Sequence, residues 1–485
     1  MSKKLKIVHI ASEVAPFSKT GGLGDVSRSL PKALSRLGHE VIIITPLYGR
    51  LIDKAENKLE LLFSNISLRL NSTEKIPVNY WRGYLLPGLP VYFIECKQFF
   101  SKHSRLYGST RENARFLVFN VAALKLLSLL KFSADIIHCH DWQTGLIPYY
   151  LKTDFRYSKT LKQAKTIFTI HNLIFQLGHN WWEIAPADKD YGRGKIPHLD
   201  DPKLECINFA KRAILSADFI NTVSEQYREE ILTKKFGQDL HRILQNRADR
   251  LVGIINGIDY NTYNPEKDKD LYRRYSFNKL SAKAENKKFL QKSIGLPVNK
   301  DIPILCTTSR VTFQKGFDLI LKIISSLLKL DIQLVFLGDG SKEYIQPIKK
   351  LQKKHGDKIV WLPFDQKKES LLYAAADLFL LPSNHEPCGI NQLIAMRYGC
   401  IPIVREIGGL YDTVEDFNPT TGKGTGFTFK TEDETLFYAT IVRALENYKH
   451  TKSWESLAKR AMQRSTSWEI PARKYLELYK KVIKG

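Results

Sequence analysis

Short, β-branched apolar runs that stop at polar residues and lead into helically spaced segments recur along this chain. They come in two successive series, and this rhythm restricts the possible folds more than any other feature. The first series covers residues 5–11, 41–45, 135–139, 166–170, 219–223 and 251–255; the second covers 302–306, 332–337, 358–362, 376–381 and 401–404. Runs of this kind suit strands buried on both faces of a parallel sheet. A chain of 485 residues also exceeds what one core normally holds. The expected fold class is therefore α/β, with two Rossmann-like doubly wound domains facing each other across a deep cleft. The expected divisions are residues 1–255, residues 256–466, and an amphipathic C-terminal helix over 467–485 that crosses back to the first domain. Residues 59–96 alternate apolar with polar and predict an antiparallel insertion with a turn at Pro87-Gly88-Leu89-Pro90. Residues 107–130 predict a long helix, and 401–404 the last clear strand.

In an open parallel sheet, ligands sit outside the carboxyl ends of the strands, and several ends here carry chemistry. The first strand leads into Lys19-Thr20-Gly21-Gly22-Leu23-Gly24-Asp25-Val26. That loop matches neither a G-x-G-x-x-G fingerprint nor a Walker loop. It reads either as a tight βα turn or as an anion site, and a lysine before two glycines at a helix start favours the anion site. Two later strands end at His140-Asp141-Trp142 and at His171-Asn172. A single histidine of this kind is more often a satisfied structural residue, but two such strand ends converging point to function. In the second series, residues 376–383 run into Glu386-Pro387-Cys388-Gly389, a turn because Pro387 fixes its own φ and disfavours helix at Glu386. A helical pattern follows from Ile390 to the stop at Gly399. This predicts a carboxylate held directly before a helix N-terminus, whose free N–H groups suit a phosphate or a sugar hydroxyl.

Composition removes several classes. Apolar residues make up 43%, ordinary for a globular chain, and the longest apolar run, residues 116–130, is broken by Asn120 and Lys125. Neither a membrane span nor a signal peptide is expected. The formal charge is +24, but the lysines are dispersed and no nucleic-acid motif accompanies them. General anion attraction is expected, and nucleic-acid binding is not. Cys96, Cys139, Cys206, Cys306, Cys388 and Cys400 show no paired spacing, which predicts free thiols in a reducing cytoplasm and no structural zinc.

Taken together, Lys19 to Val26, His140-Asp141-Trp142, Ile170-His171-Asn172-Leu173, Asn256-Gly257-Ile258-Asp259, Ser309-Arg310, Gln314-Lys315-Gly316, Glu386 to Gly389 and Arg397-Tyr398-Gly399 resemble the ordered motifs of bacterial glycogen synthases and plant starch synthases. The resemblance runs over nearly the whole chain. It implies a GT-B fold and a retaining glucosyltransferase that moves glucose from ADP-glucose to the non-reducing 4-hydroxyl of an α-1,4-glucan. It implies no cofactor and no metal, and a cytoplasmic setting, or the plastid stroma in a plant or alga. Among the residues that match the family's motifs, Glu386, His171, Asp141, Arg310 and Lys315 are the implied catalytic set. Lys19, Gly21, Gly22, Asn256, Phe364, Cys388, Gly389, Ile390 and Asn391 are the implied substrate-binding set. Arg310 and Lys315 match the diphosphate-binding pair. Phe364 stands where the family usually has a tyrosine against adenine.

Some positions depart from the pattern. Asn391 and Ile407 occupy places often held by threonine, and residues 237–244 lack an expected second glycine. Ile394 stands where many other retaining transferases carry a second glutamate, which argues against a sucrose- or trehalose-type relative. The alternatives are a transferase using UDP-glucose, one using another acceptor, such as maltose 1-phosphate formation, or a weakly active glucan-binding scaffold. Oligomeric state is not legible.

Overall fold

The computed structural model describes residues 3–70, 75–102, 105–176 and 182–485. The chain forms two compact units, residues 1–254 with 471–485, and residues 255–470. Among the described residues, the sheet of the first unit has nine strands. They are β1 (Lys6–Ile10), β2 (Glu40–Pro46), β3 (Glu60–Arg69), β4 (Lys75–Leu86), β5 (Leu89–Glu95), β6 (Ile136–His140), β7 (Lys165–Ile170), β8 (Phe219–Thr222) and β9 (Leu251–Gly253). Their order is β3-β4-β5-β2-β1-β6-β7-β8-β9. All neighbours are parallel except β3 with β4 and β4 with β5. The antiparallel excursion is a continuation of the sheet, because β5 returns to pair in parallel with β2, Val91 opposite Ile43. Its turn is shorter than the sequence predicts. Leu89 and Pro90 already belong to β5, and Gly88, at φ 82°, reverses the chain.

The central strands β1 and β6 are almost wholly buried, which explains their continuous apolar character. The C-terminal helix, Glu469–Lys484, turns Ala472, Tyr475, Leu478, Tyr479 and Val482 inward at helical spacing. The Tyr479 hydroxyl lies 2.8 Å from His138 Nδ1, and Asn221 Nδ2 donates to the Tyr475 hydroxyl at 3.0 Å. From Pro471 onward this helix is part of the first unit.

Among the described residues, the second unit has six strands in one parallel sheet, β10 (Ile304–Thr308), β11 (Gln333–Leu337), β12 (Ile359–Leu362), β13 (Leu378–Leu381), β14 (Ile401–Arg405) and β15 (Phe427–Phe429). The order is β12-β11-β10-β13-β14-β15. Strand β15 is three residues long, too short for periodicity to reveal, so 401–404 is not the last strand.

Both sheets are doubly wound, and each has a topological switch point where successive strands begin to add on the other side. In the first unit it lies between β1 and β6, and in the second between β10 and β13. The carboxyl ends of these four strands carry most of the motifs that the sequence singles out. Among the described residues no helix is long and apolar enough to cross a membrane. All six cysteines are free.

Candidate functional site

In the first unit, the loop after β1 is organised by a residue the sequence analysis does not select. Glu13 is 3% exposed. Its Oε2 accepts the Thr20 N–H at 2.6 Å and the Gly21 N–H at 3.4 Å, and its Oε1 accepts the Thr20 hydroxyl at 2.7 Å and the Tyr107 hydroxyl at 2.7 Å. These bonds set the shape of the glycine-rich turn that opens the helix Gly22–Arg36. An added Cβ at Gly21 or Gly22 would meet nothing within 4 Å, so packing within the protein does not require glycine at either position. Lys19 is exposed and pairs with Asp25 at 2.8 Å. Pro16, Phe17, Lys19, Leu51, Arg105 and Tyr107 are among the residues lining a cavity of about 560 Å³ beside this loop.

Across the switch point, Asp141 follows β6 at φ 59°, ψ 171°. Only glycine populates that region without strain, and such strain concentrates at functional sites. Three bonds hold it. The Asp141 N–H donates to the Thr169 carbonyl at 2.9 Å, and Asp141 Oδ1 accepts the His171 N–H at 2.9 Å and Gln176 Nε2 at 2.8 Å. Burial pushes the Asp141 carboxyl up to about 7; the two hydrogen bonds pull it down, and nearby Glu13 adds to the rise. His171, on the loop after β7, is pushed down to about 3 by burial and is neutral at physiological pH. Asp141 and His171 are therefore brought together, joined through the His171 backbone.

Behind them lies a histidine cluster. His171 Nε2 is 3.0 Å from His140 Nδ1, and His140 Nε2 is 3.0 Å from His9 Nδ1. His138 bonds Tyr479 at 2.8 Å and Thr169 at 2.5 Å. One ring nitrogen from each of His9, His138 and His140 falls within a 4.8 Å span, close enough in principle for a metal. Five of the six nitrogens are already hydrogen-bonded, however, so the cluster is built as a hydrogen-bond network.

In the second unit, Glu386 follows β13 and is 5% exposed. Its Oε2 takes an ion pair from Lys315 Nζ at 2.5 Å and a hydrogen bond from Ser383 Oγ at 3.0 Å. The helix expected after this turn runs from Asn391 to Arg397, and Gly399, at φ 66°, ends it as the sequence predicts. The Glu386 carboxylate is thus fixed by a lysine and a serine, not by that helix start. Its backbone is fixed by another helix, Gly408–Thr413, where the Gly409 N–H donates at 3.1 Å to the carbonyls of both Glu386 and Pro387. Only glycine allows this approach, since a Cβ on Gly408 would lie 2.0 Å from the Glu386 carbonyl oxygen.

Lys315 arrives on the loop after β10. Gly316, at φ 74°, lets that loop settle onto the end of β13; a Cβ there would be 2.0 Å from the Pro382 carbonyl oxygen. Gln314 donates to the His385 carbonyl at 3.1 Å, and its own carbonyl accepts the Asn384 N–H at 2.9 Å. Arg310, on the same loop, is exposed, and its guanidinium makes no hydrogen bond or ion pair among the described residues. Asn391 donates to the Thr308 carbonyl, tying the start of its helix to the end of β10. Cys388 is buried, and burial pushes its thiol up to about 12, against hydrogen bonds from the Asn256 backbone and side chain. Asn256 is itself 5% exposed. Gly389 and Ile390 are half-buried beside Cys388. Phe364 presents a half-exposed ring after β12, and its N–H donates to Asp339 Oδ2 at 3.3 Å.

Each unit thus gathers its own predicted residues: Lys19, Gly21, Gly22, Asp141 and His171 in the first, the other nine in the second. Sequence reasoning missed Glu13, Gln176 and Ser383. Glu13 carried a usable signal, an acid directly after a buried strand; Gln176 and Ser383 are ordinary loop residues until the chain folds.

Residues 6–246 match the starch synthase catalytic domain, and residues 289–461 match the group 1 glycosyl transferases. The glycogen synthase of Streptococcus sanguinis (strain SK36) is 39% identical over 99% of this chain and 100% of its own length. That of Bacillus licheniformis is 38% identical over 99% of both. Among solved structures, the catalytic domain of starch synthase IV from Arabidopsis thaliana, bound to ADP and acarbose, is 34% identical with a TM-score of 0.87, covering all of both chains. The fold is the GT-B fold.

Proposed function

This chain belongs to the glycogen and starch synthase family and is a glycosyltransferase, and we propose that it transfers glucose from ADP-glucose to the non-reducing 4-hydroxyl of an α-1,4-glucan, with retention. The observation that carries the reading is the carboxylate of Glu386, buried at the end of β13 and clamped by Lys315 and Ser383. A carboxylate so fixed accepts hydrogen bonds from sugar hydroxyls without reorganising. The ADP bound to the Arabidopsis relative favours an adenine nucleotide as donor, and the exposed face of Phe364 supplies a stacking surface for the base.

Breaking the bond to a diphosphate builds negative charge on the leaving group. In this reading Arg310 and Lys315 meet that charge. The Arg310 guanidinium offers five N–H donors, and the Lys315 ammonium keeps two after bonding Glu386. Lys19 and the backbone amide of Gly22 bind anionic oxygens of the donor, and Gly21 shapes the turn that presents them. Asn256, Cys388, Gly389, Ile390 and Asn391 shape the wall around Glu386. His171, neutral, hydrogen-bonds the sugar, and Asp141 fixes the loop that carries it. The reading includes no resident cofactor or metal, the cationic work being done by side chains. The six free thiols suit a cytoplasmic setting.

The test is transfer of labelled glucose to glycogen from ADP-glucose and, in parallel, from UDP-glucose, comparing the wild type with Glu386→Gln. Robust transfer from ADP-glucose that falls by about a hundredfold or more in the variant is the expected result. Transfer from UDP-glucose alone would overturn the donor assignment. Glycogen binding without transfer from either donor would replace the enzyme reading with that of a scaffold.

A further inference from the structure

We infer that His140, backed by His9, is a positioning residue that sets the tautomer of His171, so that His171 Nδ1 carries the proton and donates it in a hydrogen bond to a substrate oxygen. The inference deepens the proposed function and rests on its placing His171 against the sugar.

A neutral imidazole has one N–H and one lone pair. All three rings are neutral at physiological pH, because burial holds His9 and His140 well below the usual range and His171 at about 3. Each of the two ring-to-ring bonds at 3.0 Å needs one N–H and one lone pair. If His140 is protonated at Nδ1, it donates to His171 Nε2 and accepts from His9 Nδ1–H. If it is protonated at Nε2, both bonds reverse. The three histidines therefore share a single tautomer.

The far nitrogen of His9 decides between the two. His9 is fully buried, and its Nε2 has no partner among the described residues. One arrangement leaves a lone pair there and the other an N–H. Orphaned buried N–H groups are the rarer defect in folded proteins. The favoured arrangement is thus Nδ1–H throughout, which leaves Nδ1–H of His171 on the side of its ring away from His140. That nitrogen makes no bond among the described residues.

His138 provides an internal contrast. The Thr169 hydroxyl donates to Asn221 Oδ1 at 2.5 Å, so it must accept from His138 Nε2–H. His138 Nδ1 then accepts from the Tyr479 hydroxyl. His138 stacks on His140 with ring centroids 4.2 Å apart, yet it holds the opposite tautomer.

The experiment is nitrogen NMR of histidine-labelled full-length protein without substrate, with resonances assigned by single substitutions. Protonated Nδ1 and unprotonated Nε2 in His171, His140 and His9, with the reverse in His138, is the expected pattern. His171 protonated at Nε2 would overturn the inference whatever the activity. The second arm compares His140→Phe with His140→Asn, whose amide can still donate from the place of Nδ1. His140→Phe should lower kcat by about tenfold, the size expected of one lost buried hydrogen bond, and release the His171 tautomer. His140→Asn should keep most of the rate and the Nδ1–H signature. Equal loss in both variants with an unchanged His171 spectrum would overturn the positioning role. If His140→Phe does not fold, the wild-type spectrum and His140→Asn decide. The spectra are read without turnover, so failure of the proposed reaction and failure of the tautomer assignment are distinguishable.

Discussion

Asp141 bears two local costs, a backbone conformation that only glycine adopts freely and a carboxyl pushed up to about 7 by burial. Since the unfolded carboxyl titrates near 3.8, the folded state binds this proton more tightly. Its stabilising contribution is complete below about pH 4 and is lost as pH rises through about 7, at up to about 1.4 kcal/mol per pH unit. Asp141→Asn keeps an acceptor oxygen for His171 N–H and Gln176 but removes the charge. It should therefore match or exceed wild-type stability at about pH 8. Because the two hydrogen bonds that set the His171 loop are kept, its transfer activity in the same buffer should stay within about tenfold of wild type. Urea unfolding of both proteins across pH checks the first claim; a stability difference that does not change with pH would sink it.

At the scale of elements, β1, β6 and the loop after β7 place four neutral histidines side by side. His9, His138 and His140 lie well below the usual range and His171 at about 3, burial being the largest cause in each case. These shifts are depressed, so the sign is opposite to that of Asp141. The stability they contribute is present above about pH 6.5 and lost as pH falls toward the folded values. In the Asp141→Asn background, where the opposing carboxyl is gone, Tm should fall steeply from about pH 6.5 to about pH 5. A flat Tm over that range would mean that the histidines are protonated in the folded chain.

For the whole molecule, the closing helix belongs with residues that precede it by more than two hundred positions. Tyr475, Leu478, Tyr479 and Val482 are all nearly inaccessible to solvent. Burial of each large side chain stabilises by about 1.5–3 kcal/mol, and loss of Tyr479 also strips His138 Nδ1 of its hydrogen bond. A chain ended after Ile470 should lose several kcal/mol from the first unit alone. Calorimetry would then show one transition moved to lower temperature and the transition of residues 255–470 unmoved. Equal shifts of both transitions would contradict this division of the stabilising contacts.

The sequence by itself determined eleven of the fifteen strands among the described residues, the doubly wound character of both series and most of the residues at the switch points. Those properties are written in local periodicity and in which residue types end a buried run. It did not reveal β15, whose three residues carry no period. Only the tertiary structure decided what holds the chemical groups. Glu386 is fixed by Lys315 from another loop, Thr20 by Glu13, and the His171 ring by His140 at the end of another strand. Hydrogen bonds and ion pairs depend on ångström distances between residues far apart in the chain, and no spacing along the chain encodes them.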